Sequence, residues 1–288
     1  MPNSIKFTKM QGLGNDYVYI NGFEENVADP VTLARRISDR HFGVGSDGLV
    51  MILPSLTADV RMRMFNADGS EAEMCGNAVR CVGKYARERG LASSDVVNVE
   101  TRAGIKRVEL LRQEKTIHAA MVDMGEPDLT PAHIPVLIQD GGETSSFVAR
   151  PVEIDGVIWS VTAVSMGNPH AVIFLPDIDG LDLCSIGPKF ECHRLFPQRV
   201  NTEFVEVCDR HRVRMRVWER GAGETLACGT GACAVAVACR CNGLTENDID
   251  VELRGGVLHI QWETSSNHVF MTGKATTVFD GVYYQEDE

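Results

Sequence analysis

Apolar positions along the chain fall into short runs. "DYVYING" (16–22), "GLVMIL" (48–53), "VRMRMF" (60–65) and "VVNVET" (96–101) carry the β-branched and aromatic residues expected of strands. "HAVIFL" (170–175), "NTEFVEV" (201–207), "VRMRVW" (213–218) and "VLHIQW" (257–262) do the same further on. Helices are few, at about 30–40, 76–89 and 229–242. The last of these contains "GACAVAVACRC", apolar on every face, so it should be buried all round. A helix enclosed by strands is the simplest arrangement that does this. Gly90 and Gly243 are placed as C-terminal caps, with Arg87, Arg89 and Arg240 suited to the negative end of the dipole. The pattern predicts an α+β fold of two similar halves.

That the halves are similar follows from a repeat. "CGNAVRCVGKYARERGL" (75–91) and "CGTGACAVAVACRCNGL" (228–244) have the same length, open on Cys-Gly and close on Gly-Leu. The same shift of 153 positions aligns "VRMR" at 60–63 with "VRMR" at 213–216, Glu71 with Glu224, and Gly14-Asn15 with Gly167-Asn168. After a slip of one residue, "VETRAG" (99–104) resembles "VELRGG" (251–256). A period this long reads as two copies of one domain rather than a solenoid. The join is expected near "DMGEPDLTPAHIP" (123–135), whose three prolines interrupt regular structure.

Composition narrows the class. A chain of 288 residues suits one large or two medium domains. It lacks any apolar run approaching 18 residues, and its N-terminal "MPNSIKFTKM" lacks the apolar core of a signal peptide, so a cytoplasmic protein is expected. A net charge of −12 disfavours nucleic acid and anionic membranes as partners. Nine cysteines, an odd number without a Cys-x-x-Cys pair, fit reduced thiols better than disulfides or zinc. A structural zinc site is therefore not expected.

Two of those cysteines, Cys75 and Cys228, stand where a helix begins. The first turn of a helix leaves N–H groups unpaired and carries partial positive charge. A thiolate there is favoured, which predicts a pKa falling toward neutral. The small residues that follow let backbone N–H groups approach a carboxylate. Two such sites related by pseudo-symmetry would face each other across the cleft between the halves. Inverting a carbon centre by proton transfer needs a base on one face and an acid on the other, and a thiolate and a thiol can exchange those roles.

"GLGNDY" (12–17), "FNADGSEAEMCGNAVRC" (65–81), "SMGNPHAV" (165–172), "ERGAGETLACGTGAC" (219–233) and "MTGKATTVFDG" (271–281) resemble the diaminopimelate epimerase family, in family order over nearly the whole chain. The resemblance implies interconversion of LL- and meso-2,6-diaminopimelate in lysine and often peptidoglycan synthesis, without pyridoxal phosphate or metal. It implies two domains, each a mostly antiparallel, β-barrel-like sheet around a central helix. Residues 1–122 with 276–288 would carry Cys75, and 123–275 would carry Cys228. It further implies a homodimer.

By the same resemblance Cys75 and Cys228 form the acid–base pair, and Gly76, Asn77, Gly229 and Thr230 hold the reacting carboxylate. Arg220 is suited to grip the distal carboxylate in bidentate fashion, and Glu219 to meet an ammonium or tune a thiol. Asn15, Asn66, Asn168 and Asn201 fall at substrate-contacting positions, and His170 resembles a histidine that tunes a cysteine pKa. One departure is visible: many members read Gly-x-Asp-Gln where this chain has "GSDG" (45–48), so Gly48 lacks the glutamine side chain. Two alternatives stay open. A proline-type racemase shares the two-cysteine logic but has no need of "ERGAGET", and a non-catalytic amino-acid-binding module has no need of either thiol.

Overall fold

The computed structural model describes residues 3–138 and 146–285. By contacts the chain divides into two units, Met1–Val122 with Thr272–Glu288, and Asp123–Met271. The return to the first unit comes at Thr272, against 276 in the sequence reading.

The first unit runs β1 (Asn3–Gly12), β2 (Asn15–Asn21), α1 (Pro30–Ser38), β3 (Gly48–Leu53), β4 (Val60–Asn66), β5 (Glu71–Ala72), α2 (Gly76–Glu88), β6 (Val96–Thr101), β7 (Gly104–Gln113) and β8 (Thr116–Asp123). The second runs β9 (Arg150–Ile154), β10 (Val157–Ser165), β11 (Pro169–Phe174), α3 (Leu183–Glu191), β12 (Asn201–Asp209), β13 (Arg212–Glu219), β14 (Gly223–Glu224), α4 (Gly229–Cys241), β15 (Asp248–Leu253) and β16 (Gly256–Glu263). β17 (His268–Lys274) crosses the boundary, and β18 (Thr276–Gln285) pairs antiparallel with β1.

Pairing repeats between the units. β1–β2 is antiparallel, β2–β3 parallel, β3–β4 and β4–β5 antiparallel, β4–β6 parallel and β6–β7 antiparallel. β10–β11, β11–β12, β12–β13, β13–β14, β13–β15 and β15–β16 follow the same sequence of senses. The sheet-dominated α+β expectation is met. The parallel pairs explain why these strands read as nearly continuous apolar runs, because a strand between two layers has no solvent face. β2 packs between α1 and α2, with Val18 and Ile20 in the cluster around Leu33, Ala34 and Ile37 of α1. β12 packs between α3 and α4.

α4 is buried all round, as its composition requires: Gly229 and Gly231–Cys239 are all buried, against β10, β11, β12, β15 and β16. Gly90 (φ 75°) and Gly243 (φ 70°) follow the C-caps Arg89 and Asn242, in the left-handed conformation that ends a helix. α2 is enclosed from Gly76 to Ala86 although two of those buried residues are cations. The buried Arg80 donates to the Gly76 carbonyl at 3.1 Å and Asn77 Oδ1 at 2.8 Å, and Lys84 donates to the carbonyls of Ile117 and Ala275 at 3.1 Å each.

α3 was not expected. It occupies the same place after β11 as α1 does after β2, and its bounds are those of α1 plus 153 (30 + 153 = 183, 38 + 153 = 191). Pro188 and Gly187 inside it mask the helical pattern. Gly187 lies against Trp218, whose ring would be 2.2 Å from an added Cβ. The repeated "VRMR" and the Glu71/Glu224 match also gain a physical reason. Arg63 holds Glu71 through two hydrogen bonds of 2.8 and 3.0 Å, and Arg216 holds Glu224 through two of 2.9 and 3.2 Å.

Candidate active site

In the first unit, Cys75 is the N-cap of α2, in an extended conformation with no side-chain cap bond, and its carbonyl accepts from Val79 N–H at 2.9 Å. The thiol lies 3.4 Å from Asn15 Oδ1 and donates to it. Asn77 Nδ2 donates to the same oxygen at 3.5 Å. Asn15 is oriented from behind, since its Nδ2 donates to Asp47 Oδ2 at 2.8 Å. Arg40 bridges Asp47 and Asp16 at 2.9 Å each, and Lys9 pairs with Asp16. Burial works against ionisation of Asp16, but the Arg40 and Lys9 hydrogen bonds hold its carboxyl below the usual range. Cys75, Asn15 and Asn77 are therefore one cluster. Asn66 is engaged elsewhere: its Nδ2 donates to Ser70 Oγ at 3.0 Å in the turn after β4. At Gly48 an added Cβ would fall 2.1 Å from the Phe65 carbonyl oxygen and 2.9 Å from the Tyr17 ring. In this chain β3 and β4 approach too closely there for a side chain.

In the second unit Cys228 is the N-cap of α4, also extended and without a side-chain cap bond. Its sulfur lies 3.6 Å from Thr230 Oγ1. Asn168 Nδ2 donates to Thr230 Oγ1 at 3.3 Å, and Asn168 Oδ1 lies 3.0 Å from His170 Nε2. His170 Nδ1 lies 2.6 Å from Glu203 Oε1, and neither side chain is exposed to solvent. Glu219, at the end of β13, pairs with the Thr225 hydroxyl. Asn201 is occupied structurally. Its amide donates to the Pro169 carbonyl and accepts from Arg220 N–H, both at 2.9 Å, so it fastens the Arg220 turn to β11. Arg220 is exposed, with one guanidinium nitrogen donating to the Gln198 carbonyl at 3.0 Å.

The titration of Cys228 corrects the expectation of a depressed thiol pKa. Burial pushes the thiol well up, Glu219 and then Glu203 add to it, and hydrogen bonds from Thr230 and the Gly231 N–H oppose it. A helix terminus is worth only about 0.3–1 kcal/mol, whereas complete burial moves a pKa by up to about 3–5 units. Burial wins, and the resting group is the thiol. Burial likewise raises Glu219, with the Thr225 and Cys228 hydrogen bonds and His170 opposing and Glu203 reinforcing.

The sequence profile described as diaminopimelate epimerase matches residues 7–130 and 162–278. The chain belongs to the diaminopimelate epimerase family. A diaminopimelate epimerase of Desulfovibrio desulfuricans is 66% identical over 286 residues, covering 99% of this chain and 100% of the relative. One of Acetivibrio thermocellus is 58% identical over 277 residues, covering 96% and 98%. Among solved structures, a probable proline racemase from Agrobacterium radiobacter superposes with a TM-score of 0.71 at 14% identity, covering 96% of this chain and 92% of that one. A hydroxyproline epimerase from Agrobacterium vitis gives 0.70 at 14%, covering 100% and 95%. At that identity the likeness is one of fold.

Two residues beside the cysteines escaped the sequence reading. Asp47 orients Asn15, and Glu203 faces His170. Glu203 left a signal: it is the one charge within the "NTEFV" that begins β12, where every residue is buried, and a buried carboxylate is kept only with a partner. Among the described residues no group of three or more His, Cys, Asp or Glu is placed to hold a metal ion, and no helix is long and apolar enough to cross a membrane.

Proposed function

We propose that the protein interconverts LL- and meso-2,6-diaminopimelate without a cofactor, with Cys75 and Cys228 as the two proton-transferring groups. Family membership supports the substrate. The observation that carries the residue assignment is that both cysteines are N-caps of 13-residue helices with identical bounds 153 residues apart, each set in a polar cluster. In the reaction the α-C–H bond breaks, its proton passes to one thiolate, and its electron pair is delocalised into the adjoining carboxylate. The other thiol then gives its proton to the opposite face, and the two sulfurs have exchanged protonation states. N–H groups of Gly76, Asn77, Gly229 and Thr230 hold the carboxylate as charge builds on it.

Glu219 acts on the Cys228 thiol through the hydrogen bond between them, and the exposed Arg220 receives the distal carboxylate. Asn15, Asn77 and Asn168 position the thiols and the substrate, whereas Asn66 and Asn201 act through the turns they fasten. The two contact units serve as the two domains, and a cytoplasmic homodimer with a small-molecule substrate is the working form.

Purified protein, incubated with LL-diaminopimelate, proline or glutamate and no added cofactor, is analysed by chiral separation. Appearance of the meso isomer alone is expected. Racemised proline without diaminopimelate turnover would move the protein to the proline class. In D₂O, stopped early, deuterium is expected at the α-carbon of the product while unreacted substrate stays protiated. Equal labelling of both would mean a single base.

A further inference from the structure

The mechanism above uses Cys228 but leaves Glu203 without a task. Glu203 comes from β12 and is fully buried. Its Oε1 binds His170 Nδ1, and its Oε2 has no hydrogen-bond partner among the described residues. Gly231 of α4 is so close that an added Cβ would lie 2.7 Å from Glu203 Oε1 and 3.2 Å from Cys228 Sγ. The carboxylate is thus held against the head of α4, one layer behind the thiol.

A chain of hydrogen bonds connects the two. Both ring nitrogens of His170 face oxygen atoms, Glu203 Oε1 at 2.6 Å and Asn168 Oδ1 at 3.0 Å. With the Asn168 oxygen turned toward the ring, each contact takes a hydrogen on nitrogen, the arrangement of an imidazolium balanced by the Glu203 carboxylate. Because Asn168 Oδ1 accepts from the ring, Asn168 Nδ2 is turned toward Thr230 and donates to its Oγ1. Thr230 Oγ1 accepts there, which leaves its own hydrogen to be donated to Cys228 Sγ. With a neutral ring the order reverses: Nε2 becomes an acceptor, the Asn168 amide turns over, its oxygen takes the Thr230 hydrogen, and the sulfur loses a donor.

We propose that Glu203 is a positioning residue for Cys228: it keeps His170 doubly protonated, and so fixes the direction of the chain His170–Asn168–Thr230 so that the Thr230 hydroxyl donates to the sulfur. The proposal rests on the reading of Cys228 as a proton-transferring group. The donor matters because this thiol has to become a thiolate in a buried place. The titratable groups facing it are Glu219 from β13 and Glu203 from β12, both of which disfavour the thiolate. Donors from Thr230 and the Gly231 N–H are what oppose them.

Glu203→Gln tests this, since glutamine keeps the shape and can still accept from Nδ1–H but no longer balances a charged ring. The variant is expected to lose on the order of tenfold or more in kcat/KM above about pH 8, and to approach wild type as the pH falls toward 6 and the ring regains its proton. In the Thr230→Val background the same change should cost little more, because the chain is already cut. A purely structural role predicts a loss that is flat with pH and adds in full to that of Thr230→Val. Should the variant not fold, ¹⁵N spectra of the histidine rings in the wild-type protein decide the matter: His170 must keep both N–H protons to above pH 8, and a bare ring nitrogen at pH 7 would overturn the proposal. Cys228→Ala separates the two levels. If that variant epimerises at the wild-type rate, the proposed function fails. If it is inactive while Glu203→Gln matches wild type from pH 6 to 9, only the role of Glu203 fails.

Discussion

Alanine in place of Gly231 pits two effects of known size against each other. Within a helix, glycine to alanine ordinarily stabilises by about 1 kcal/mol. Here the added methyl lands 2.7 Å from Glu203 Oε1, with Cys228 Sγ at 3.2 Å and Cys228 Cβ at 3.3 Å. Neither neighbour is a flexible surface group, since Glu203 is fully buried and Cys228 is only 5% exposed. Overpacking of this kind costs about 1–3 kcal/mol. Relief by moving the carboxylate stretches the 2.6 Å contact with His170, a charge-assisted bond worth about 1.5–3 kcal/mol. The clash therefore at least cancels the propensity gain, and a net loss of up to about 2 kcal/mol is expected. At about 2–4 °C per kcal/mol, Gly231→Ala should melt up to several degrees below wild type, with kcat/KM reduced by tenfold or more because the thiol and its supporting carboxylate both shift. Gly180→Ala is the control, as its Cβ would meet nothing within 4 Å. Differential scanning fluorimetry and the epimerisation assay read both variants. A Gly231→Ala protein more stable than wild type by the full propensity gain of about 1 kcal/mol would show that α4 and β12 are less tightly apposed than described, and the account of Glu203 would fail with it.

Glu219→Gln should lower the Cys228 pKa by removing the carboxylate that raises it more of the two, so iodoacetamide should label Cys228 faster in the variant near neutral pH; equal labelling rates would refute the coupling. Arg216→Ala should cost more stability than Arg63→Ala, about 2–4 against about 1 kcal/mol. Arg216 also donates to the Ile178 and Leu181 carbonyls at 2.8 Å each, and urea denaturation would reveal equal losses if those bonds carried nothing. Hydrogen bonds from Arg112 and then Arg87 hold the Asp95 carboxyl down at about 2, so its stabilisation is present above about 4 and is lost as pH falls through 2. The Tm difference between wild type and Asp95→Asn should accordingly close over that window, and a difference that persists at pH 2 would exclude the ion pairs as its source.

How far the sequence was legible depended on whether a feature was local. The buried parallel strands β2, β3, β11 and β12 announced themselves as apolar runs because both faces are covered. Cys75 and Cys228 stood out because a cysteine followed by glycine at a helix start is a local motif. α3 did not, since it contains Pro188 and since Gly187 answers to the Trp218 ring against which it packs. The 153-residue repeat nevertheless contained it, and carrying the expected helix at about 30–40 across that shift would have placed its start at Leu183. The thiol pKa was out of reach for a different reason. The helix terminus that favours a thiolate is visible in the sequence, but the burial and the two carboxylates that overcome it come from β12 and β13, brought there only by folding.

The repeat also separates what the fold supplies from what the chemistry adds. Backbone senses, helix bounds and the Arg–Glu pairs are shared by the two units, as are the asparagines Asn15 and Asn168 beside the thiols. The groups behind those asparagines differ. Asn15 leans on Asp47, an aspartate tied to Arg40 near the surface, whereas Asn168 leans on His170 and Glu203, which are fully buried. An amide held by a buried imidazolium turns over when the ring loses its proton. The two cysteines therefore share one scaffold but not one environment, and if Glu203 holds the ring doubly protonated to above pH 8, loss of that proton should be felt at Cys228 and not at Cys75.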